Sequence, residues 1–493
     1  MKYKLIGLSA VALTLIAIIF ISMSLPEDNG TRYIEHIKAE EKTPCKSHTD
    51  DVLCTHLPIV NIDTDGVEIP GKPIYDDEYN VIDYTLAKDG TTTIKASLDV
   101  VNNEKTYNHP NDTPLGMGDV MIRVRGHSSR RFEKPNYLIK FVNPDGTNNS
   151  QSFLGMDSHH EWALHGPYLD KTLIRNYMWY NIAGEIMDYS PNVRFCELIL
   201  NGEYRGLYLA VETVTSGKDG ARLELSVNKK DNTFSGYALR LDWGDGEDAK
   251  KLYPFTNYTT RAKTQHEIVY PGIMSMTPEL KESIKNEFSL FEKTLYSYDY
   301  NNEKHGYKNY IDVDSFVDYF LINELSCNYD AGSLSTYIYK DIDGKYKMCV
   351  WDFNSACDLY QESEMPTDDF RLNSVLWYQM LFMDNEFTDK VIKRYYELRK
   401  TVFSEEYLFS FIDDTIEYLG PAIERNYQKW GYTFNEEYDL LHPTERNFRT
   451  YEDYVQHIKD FLSERLAFMD ENIESVKQNS AESKTKKYNE VSD

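Results

Sequence analysis

Two aspartates, Asp330 and Asp352, are the residues of this 493-residue chain best placed to do chemistry. Asp330 stands just before an alternating run, Ser335 to Tyr339, and Asp352 just after a second, Tyr346 to Val350. Asp341-Ile-Asp-Gly344 between the runs reads as a turn. Antiparallel strands of a tight hairpin start and finish at one end, so the two carboxylates are expected side by side. Such a pair suits a divalent cation, because Mg²⁺ takes one or two carboxylates together with phosphate oxygens. The plainer reading, two aspartates capping the turns at the ends of a hairpin, fits these residues equally well.

The elements that must position this pair are legible in outline. From Leu57 to Phe141 short runs separated by Pro, Gly and Asp read as β-structure; Val120-Met-Ile-Arg-Val-Arg125 alternates with period two. A helix is expected from Asp170, its N-cap, with Leu173, Ile174, Tyr177, Met178, Ile182 and Ile186 on one face until Tyr189-Ser-Pro stops it. Val193 to Leu200, Asn201-Gly202 and Tyr204 to Val211 read as a hairpin, Asn-Gly being a strong turn signal. Helices are expected from Thr277, with Pro278 at the first position, to about Leu295, and from Asp314 to Leu325. Leu372 to Ile473 is almost wholly helical in pattern. The sum is an α+β body: a β-rich first part, a mixed centre and a helical C-terminal part.

Composition narrows the function. With 80 acidic against 53 basic side chains the formal charge is −27, which argues against a nucleic-acid binder. At 41% hydrophobic residues the chain can build a real core. Lys2 and Lys4 precede an uncharged run from Leu5 to Leu25, roughly 31 Å as a helix, enough to cross a bilayer. The positive flank places the body outside the cytoplasm, anchored by residues 1–25, or released if that segment is a cleaved signal. Residues 26–54 read as a charged stalk, 55–475 as the body, and 476–493 as a polar, disordered tail. Cys45 and Cys54 are close enough in sequence to close a small disulfide loop in an exported chain, whereas Cys196, Cys327, Cys349 and Cys357 read as buried thiols.

Protein kinases share the order of catalytic-loop aspartate, β-hairpin and metal-binding aspartate. Five ordered blocks then make a resemblance specific: Arg125-Gly-His-Ser-Ser-Arg-Arg-Phe-Glu-Lys134-Pro-Asn-Tyr; Tyr168-Leu-Asp170 with Leu173-Ile-Arg175-Asn176; Asn201-Gly-Glu-Tyr-Arg-Gly-Leu-Tyr with Glu212; Asn328-Tyr-Asp330; and Val350-Trp351-Asp352-Phe-Asn. In these the chain resembles the spore-coat-protein-H type (CotH) atypical protein kinase family over most of residues 55–475.

The resemblance implies a kinase-like fold that binds ATP with Mg²⁺ or Mn²⁺ and phosphorylates Ser/Thr of a protein; the acidic body would steer basic partners, so a basic, Ser-rich acceptor is expected. It assigns Asp330 as the catalytic aspartate and Asp352 as the metal aspartate, with Lys134 and Arg125 as phosphate contacts. Arg175 and Asn176 would contact phosphates or cap nearby loops, and Glu185 would pair with Lys134. The position five residues after the catalytic aspartate, where typical kinases carry a metal-binding Asn, is Ser335 here. Asn354 is the substitute ligand, and it also replaces the Gly of Asp-Phe-Gly. The alternative is an exported, membrane-anchored binding or scaffold protein using the same fold without phosphoryl transfer.

Overall fold

The computed structural model describes residues 32–46, 53–217, 222–228, 234–244, 247–259 and 264–484. Its β-rich part is a closed barrel of β1 (Ile59–Asp63), β2 (Ile94–Val101), β3 (Gly118–Arg125), β4 (Asn136–Phe141), β5 (Glu161–His165), β6 (Val193–Leu200) and β7 (Glu203–Glu212). The order around it is β1-β6-β7-β5-β4-β3-β2. Closure comes from β1, which pairs antiparallel with β2 and parallel with β6, Ile59 lying opposite Glu197. The β6–β7 hairpin turns at Asn201 and Gly202, whose φ angles of 52° and 76° are the left-handed pair a two-residue hairpin turn demands.

Alternation decides which side chains face where. In β3, Val120, Ile122 and Val124 are buried, packing in the barrel with Ile139, Trp162 and Leu198. Arg123 and Arg125, on the opposite face of the strand, are left partly accessible.

Helix α1 (Arg175–Ile186) joins β5 to β6. It starts five residues after the expected N-cap because residues 170–174 form a tight turn with Leu173 at φ 68°. Asp170 still serves the helix start from that distance, accepting from the Arg175 backbone N–H at 2.9 Å and the Thr172 N–H at 3.1 Å. The centre is a five-stranded antiparallel sheet of β8 (Tyr237–Asp242), β9 (Lys251–Leu252), β10 (Gln265–Tyr270), β11 (Thr336–Lys340) and β12 (Lys347–Cys349), ordered β9-β10-β8-β11-β12. Between β10 and β11 lie α2 (Pro278–Leu295), capped by Thr277, and α3 (Val313–Leu325), capped by Asp312.

The C-terminal part is helical: α4 (Asn385–Leu398), α5 (Glu405–Leu419), α6 (Pro421–Trp430) and α7 (Tyr451–Asn472). One continuous core runs from α1 through the five-stranded sheet into these helices. At its centre the guanidinium of Arg465 on α7 meets Glu324 on α3 at 2.7 Å, both side chains being buried.

Both ends of the body differ from the sequence expectation. Residues 32–46 are no loose stalk: Glu35 is buried, its carboxylate accepting the Phe195 N–H at 2.8 Å. At the other end Ile473 and Val476 are buried and the Ala481 N–H is bonded to the Met383 carbonyl at 3.0 Å, while most side chains of residues 477–484 stay exposed. At the N-terminal end the buried Ile34 and the bonds of Arg32, Glu35 and His36 make the docking, and at the C-terminal end Ile473 and Val476 do. The run from Leu5 to Leu25 and the last residues, 485–493, lie outside the described residues. Among the described residues no helix is long and apolar enough to cross a membrane.

Candidate active site

The register of the central sheet brings three carboxylates to one end. Leu241 pairs with Thr336, and Tyr337 with Cys349, so the end of β8, the start of β11 and the end of β12 coincide. Asp242 closes β8, Asp330 precedes β11 and Asp352 follows β12. All three line a cleft of about 1300 Å³ that also receives Arg123 and Arg125 from the barrel and Arg371 from the segment after β12.

Asp352 is held in a left-handed conformation, φ 58°, which costs a non-glycine residue energy and persists only when the surroundings fix it. Helix α1 supplies that fixing. The Tyr180 hydroxyl accepts the Asp352 N–H at 3.0 Å. Asn176 accepts the Phe353 N–H at 2.8 Å and donates to Asn354 Oδ1 at 2.8 Å. Its second amide hydrogen faces His165 Nε2 at 3.0 Å. Burial drives His165 down to about pH 3, so the ring is neutral and accepts there, and every polar group of the Asn176 amide is used. Arg175, fully buried and paired with Asp170 at 2.5 Å, donates to the carbonyls of Ala356 at 3.0 Å and Cys357 at 3.2 Å.

Asp330 sits on a turn secured from below. The Ser333 and Leu334 N–H groups donate to its carbonyl at 3.1 and 2.8 Å. Gly332, at φ 81°, lies so close to Leu372 that a Cβ would stand 2.5 Å from it. The Arg371 guanidinium donates to the Asn328 carbonyl at 3.1 Å and lies 4.5 Å over the Tyr329 ring, which stacks on Tyr360 at 3.6 Å. Among the described residues no hydrogen bond or ion pair engages the Asp330 carboxylate, which is left to face the cleft.

Crowded carboxylates in a poorly hydrated pocket resist ionisation. Burial first, then the charges of Asp352 and Asp242, push Asp330 up to about 7, against a smaller downward pull from Arg371. Asp352 is also raised, by burial, and Arg125 opposes this. A divalent cation would relieve the repulsion, and an open pair of carboxylate walls is the donor set such a hard ion uses with phosphate oxygens. Among the described residues no three His, Cys, Asp or Glu side chains form a protein-only metal cage.

The structure brings together Asp330, Asp352, Asn354, Ser335 and Arg125, all on the cleft wall. Lys134 and Glu185 do not join them or each other. The Lys134 ammonium is buried, bonded to Asn426 on α6 at 2.8 Å and set 5.3 Å over the Tyr208 ring; desolvation pushes it well below the usual lysine value. Glu185 instead accepts the Tyr407 hydroxyl. Arg175 reaches no cleft position and supports the Asp352 loop from behind. Glu212 is fully buried, accepting from the Asn192 N–H at 2.8 Å.

Residues absent from the sequence reading complete the cleft. Asp242 is one; its only sequence mark is its place at the end of an alternating Tyr237-Ala-Leu-Arg-Leu-Asp run. Arg240 on the same strand pairs with Glu267 and with Asp242 at 3.3 Å. At the rim His127 stacks on Trp243, centroids 5.1 Å apart and planes within 15°, while Trp243 stays 48% exposed.

The cleft thus gathers Asp242, Asp330 and Asp352 with Arg123, Arg125 and Arg371 on its walls. The family model described as CotH kinase protein matches residues 122–469, and the chain belongs to that family. A relative, inner spore coat protein H of Bacillus subtilis (strain 168), is 24% identical over 319 residues, covering 63% of this chain and 76% of the relative.

Proposed function

We propose that the protein is a protein kinase that moves the γ-phosphoryl group of ATP to a Ser or Thr hydroxyl of another protein. The observation that carries this reading is the convergence of Asp330 and Asp352 on one arginine-lined cleft, in a chain of the CotH kinase family. Asp352, with Asn354 and Ser335 beside it, would hold Mg²⁺ or Mn²⁺. When bound, that ion neutralises charge on the phosphate oxygens and fixes them for in-line attack.

The remaining work falls to side chains. Asp330, ionised above about pH 7, accepts the proton of the acceptor hydroxyl as its oxygen bonds to the γ-phosphorus. The bond from that phosphorus to the bridging oxygen breaks, and ADP leaves with the electron pair. Arg125 and Arg123 are the cations positioned for the phosphates, a task the buried Lys134 does not perform. The half-exposed Trp243, stacked on His127, offers a flat face for the purine.

Lys134 is the observation that favours the second reading, a scaffold that binds a nucleotide without transferring phosphate. Incubating the full chain with γ-labelled ATP, Mg²⁺ or Mn²⁺ and a basic protein acceptor separates the two. Label should enter the acceptor with the native chain and fall by several orders of magnitude with Asp352→Ala. Equal incorporation by both chains refutes the kinase reading. The relative's printed name and the Leu5–Leu25 run together support a location on the export side of a membrane or in a coat layer.

A further inference from the structure

The segment before the barrel behaves as a strap across α1. Arg32 donates to the Asn181 side chain at 2.8 Å and to the Ser190 carbonyl at 2.9 Å. His36 Nδ1 lies 3.0 Å from the Tyr177 hydroxyl. Asn181 and Tyr177 both belong to α1, the helix whose first turn holds the Asp352 loop. The strap then runs to Thr43, which exchanges backbone bonds with Lys105 at 2.8 Å and Tyr107 at 3.1 Å. Thr55 pairs with Asn108 through bonds of 3.1 and 2.7 Å.

Two stretches that converge on one four-residue segment bring Cys45 and Cys54 together, and the Cys45 backbone N–H donates to the Cys54 sulfur. These are the two cysteines with partial solvent access; Cys196, Cys327, Cys349 and Cys357 are buried. Accessible neighbouring thiols separated by a short loop are the pair from which an intrachain bond can form without moving the core.

We propose that Cys45 and Cys54 form a disulfide that staples the strap to the barrel and so braces α1. The oxidant is a small disulfide such as glutathione disulfide. One thiolate attacks it, giving a mixed disulfide and a glutathione thiolate; the second thiolate then displaces the other glutathione. Two protein thiols and one glutathione disulfide become one protein disulfide and two glutathione thiols.

The test equilibrates the full chain with glutathione disulfide, quenches with acid, alkylates under denaturing conditions and maps the peptides. The expected product links Cys45 to Cys54 with the loss of two hydrogens, while the four buried cysteines carry the alkyl group. Proteolytic cleavage within residues 32–46 of the oxidised native chain should slow by about threefold or more relative to the dithiothreitol-reduced chain. A Cys54→Ser chain should lose that redox dependence. Unlinked glutathione adducts or alkyl groups at both positions, linkage to a buried cysteine, or equal cleavage in the two redox states overturns the proposal. None of these readouts depends on phosphoryl transfer.

Discussion

Asn176 and Asn354 are joined by a hydrogen bond of 2.8 Å across 178 positions of sequence, and this bond ties the Asp352 loop to the first turn of α1. Because the same amide also accepts the Phe353 N–H, it sets the backbone of the residue that follows Asp352. Asn176→Ala leaves two buried partners, the Phe353 N–H and His165 Nε2, and the half-buried Asn354 Oδ1 without their bond. Phosphoryl transfer should fall about 10–100-fold, the range typical of lost outer-shell support around a metal, with the change mainly in kcat. Steady-state kinetics beside a thermal melt checks this; an unchanged kcat refutes the positioning role.

Asp330 should weaken the fold it serves. Its carboxyl is raised from an ordinary 3.8 to about 7, so the folded chain holds the proton more tightly than the unfolded one. That contribution is complete below the unfolded value and is lost as pH rises through about 7. Asp330→Asn should therefore match the native chain at pH 4 and exceed it at pH 8 by about 2–4 kcal/mol, while losing transfer activity. Denaturant melts at the two pH values, without divalent ions, supply the measurement.

Arg371 faces Asp330 together with Asp352 and Asp242 and is the cation that opposes their effect. Its removal in Arg371→Gln should move the acid limb of the rate–pH profile upward. Arg371→Lys, which keeps the charge but loses the planar stack on Tyr329, should restore the limb more than the rate. A profile that keeps its position in Arg371→Gln would show that the guanidinium acts through loop structure alone.

The buried pair of Arg465 and Glu324 clamps α7 to α3 behind the Asp330 turn. Arg465→Met strands a buried carboxylate and should cost about 3–5 kcal/mol. Adding Glu324→Gln should recover part of the loss, since the charge is then gone. Urea melts of the two variants test the order native, double, single.

Local signals made much of this molecule readable. The Asn201-Gly202 turn, the Thr277-Pro278 helix start and the hairpin between Asp330 and Asp352 are each written within a few consecutive residues. Asp242 was not readable, because it meets the other two carboxylates only through the pairing of β8 with β11, strands nearly a hundred residues apart. Lys134 shows the opposite failure. A motif names the residue type, but its direction is decided by Asn426, 292 positions away, and by the Tyr208 ring. The stalk expectation failed because Arg32, Glu35 and His36 look like solvated charge until their partners on α1 and β6 are known.

The parallel seam between β1 and β6 sets a schedule for the nascent chain. A barrel whose first strand must wait for Glu197 to lie beside Ile59 cannot be finished by any shorter N-terminal fragment. Until then the early strands present unpaired edges, the template on which chains stick to one another. Fragments ending before β6 should therefore precipitate on expression, and a holdase acting on this protein should meet it at that stage.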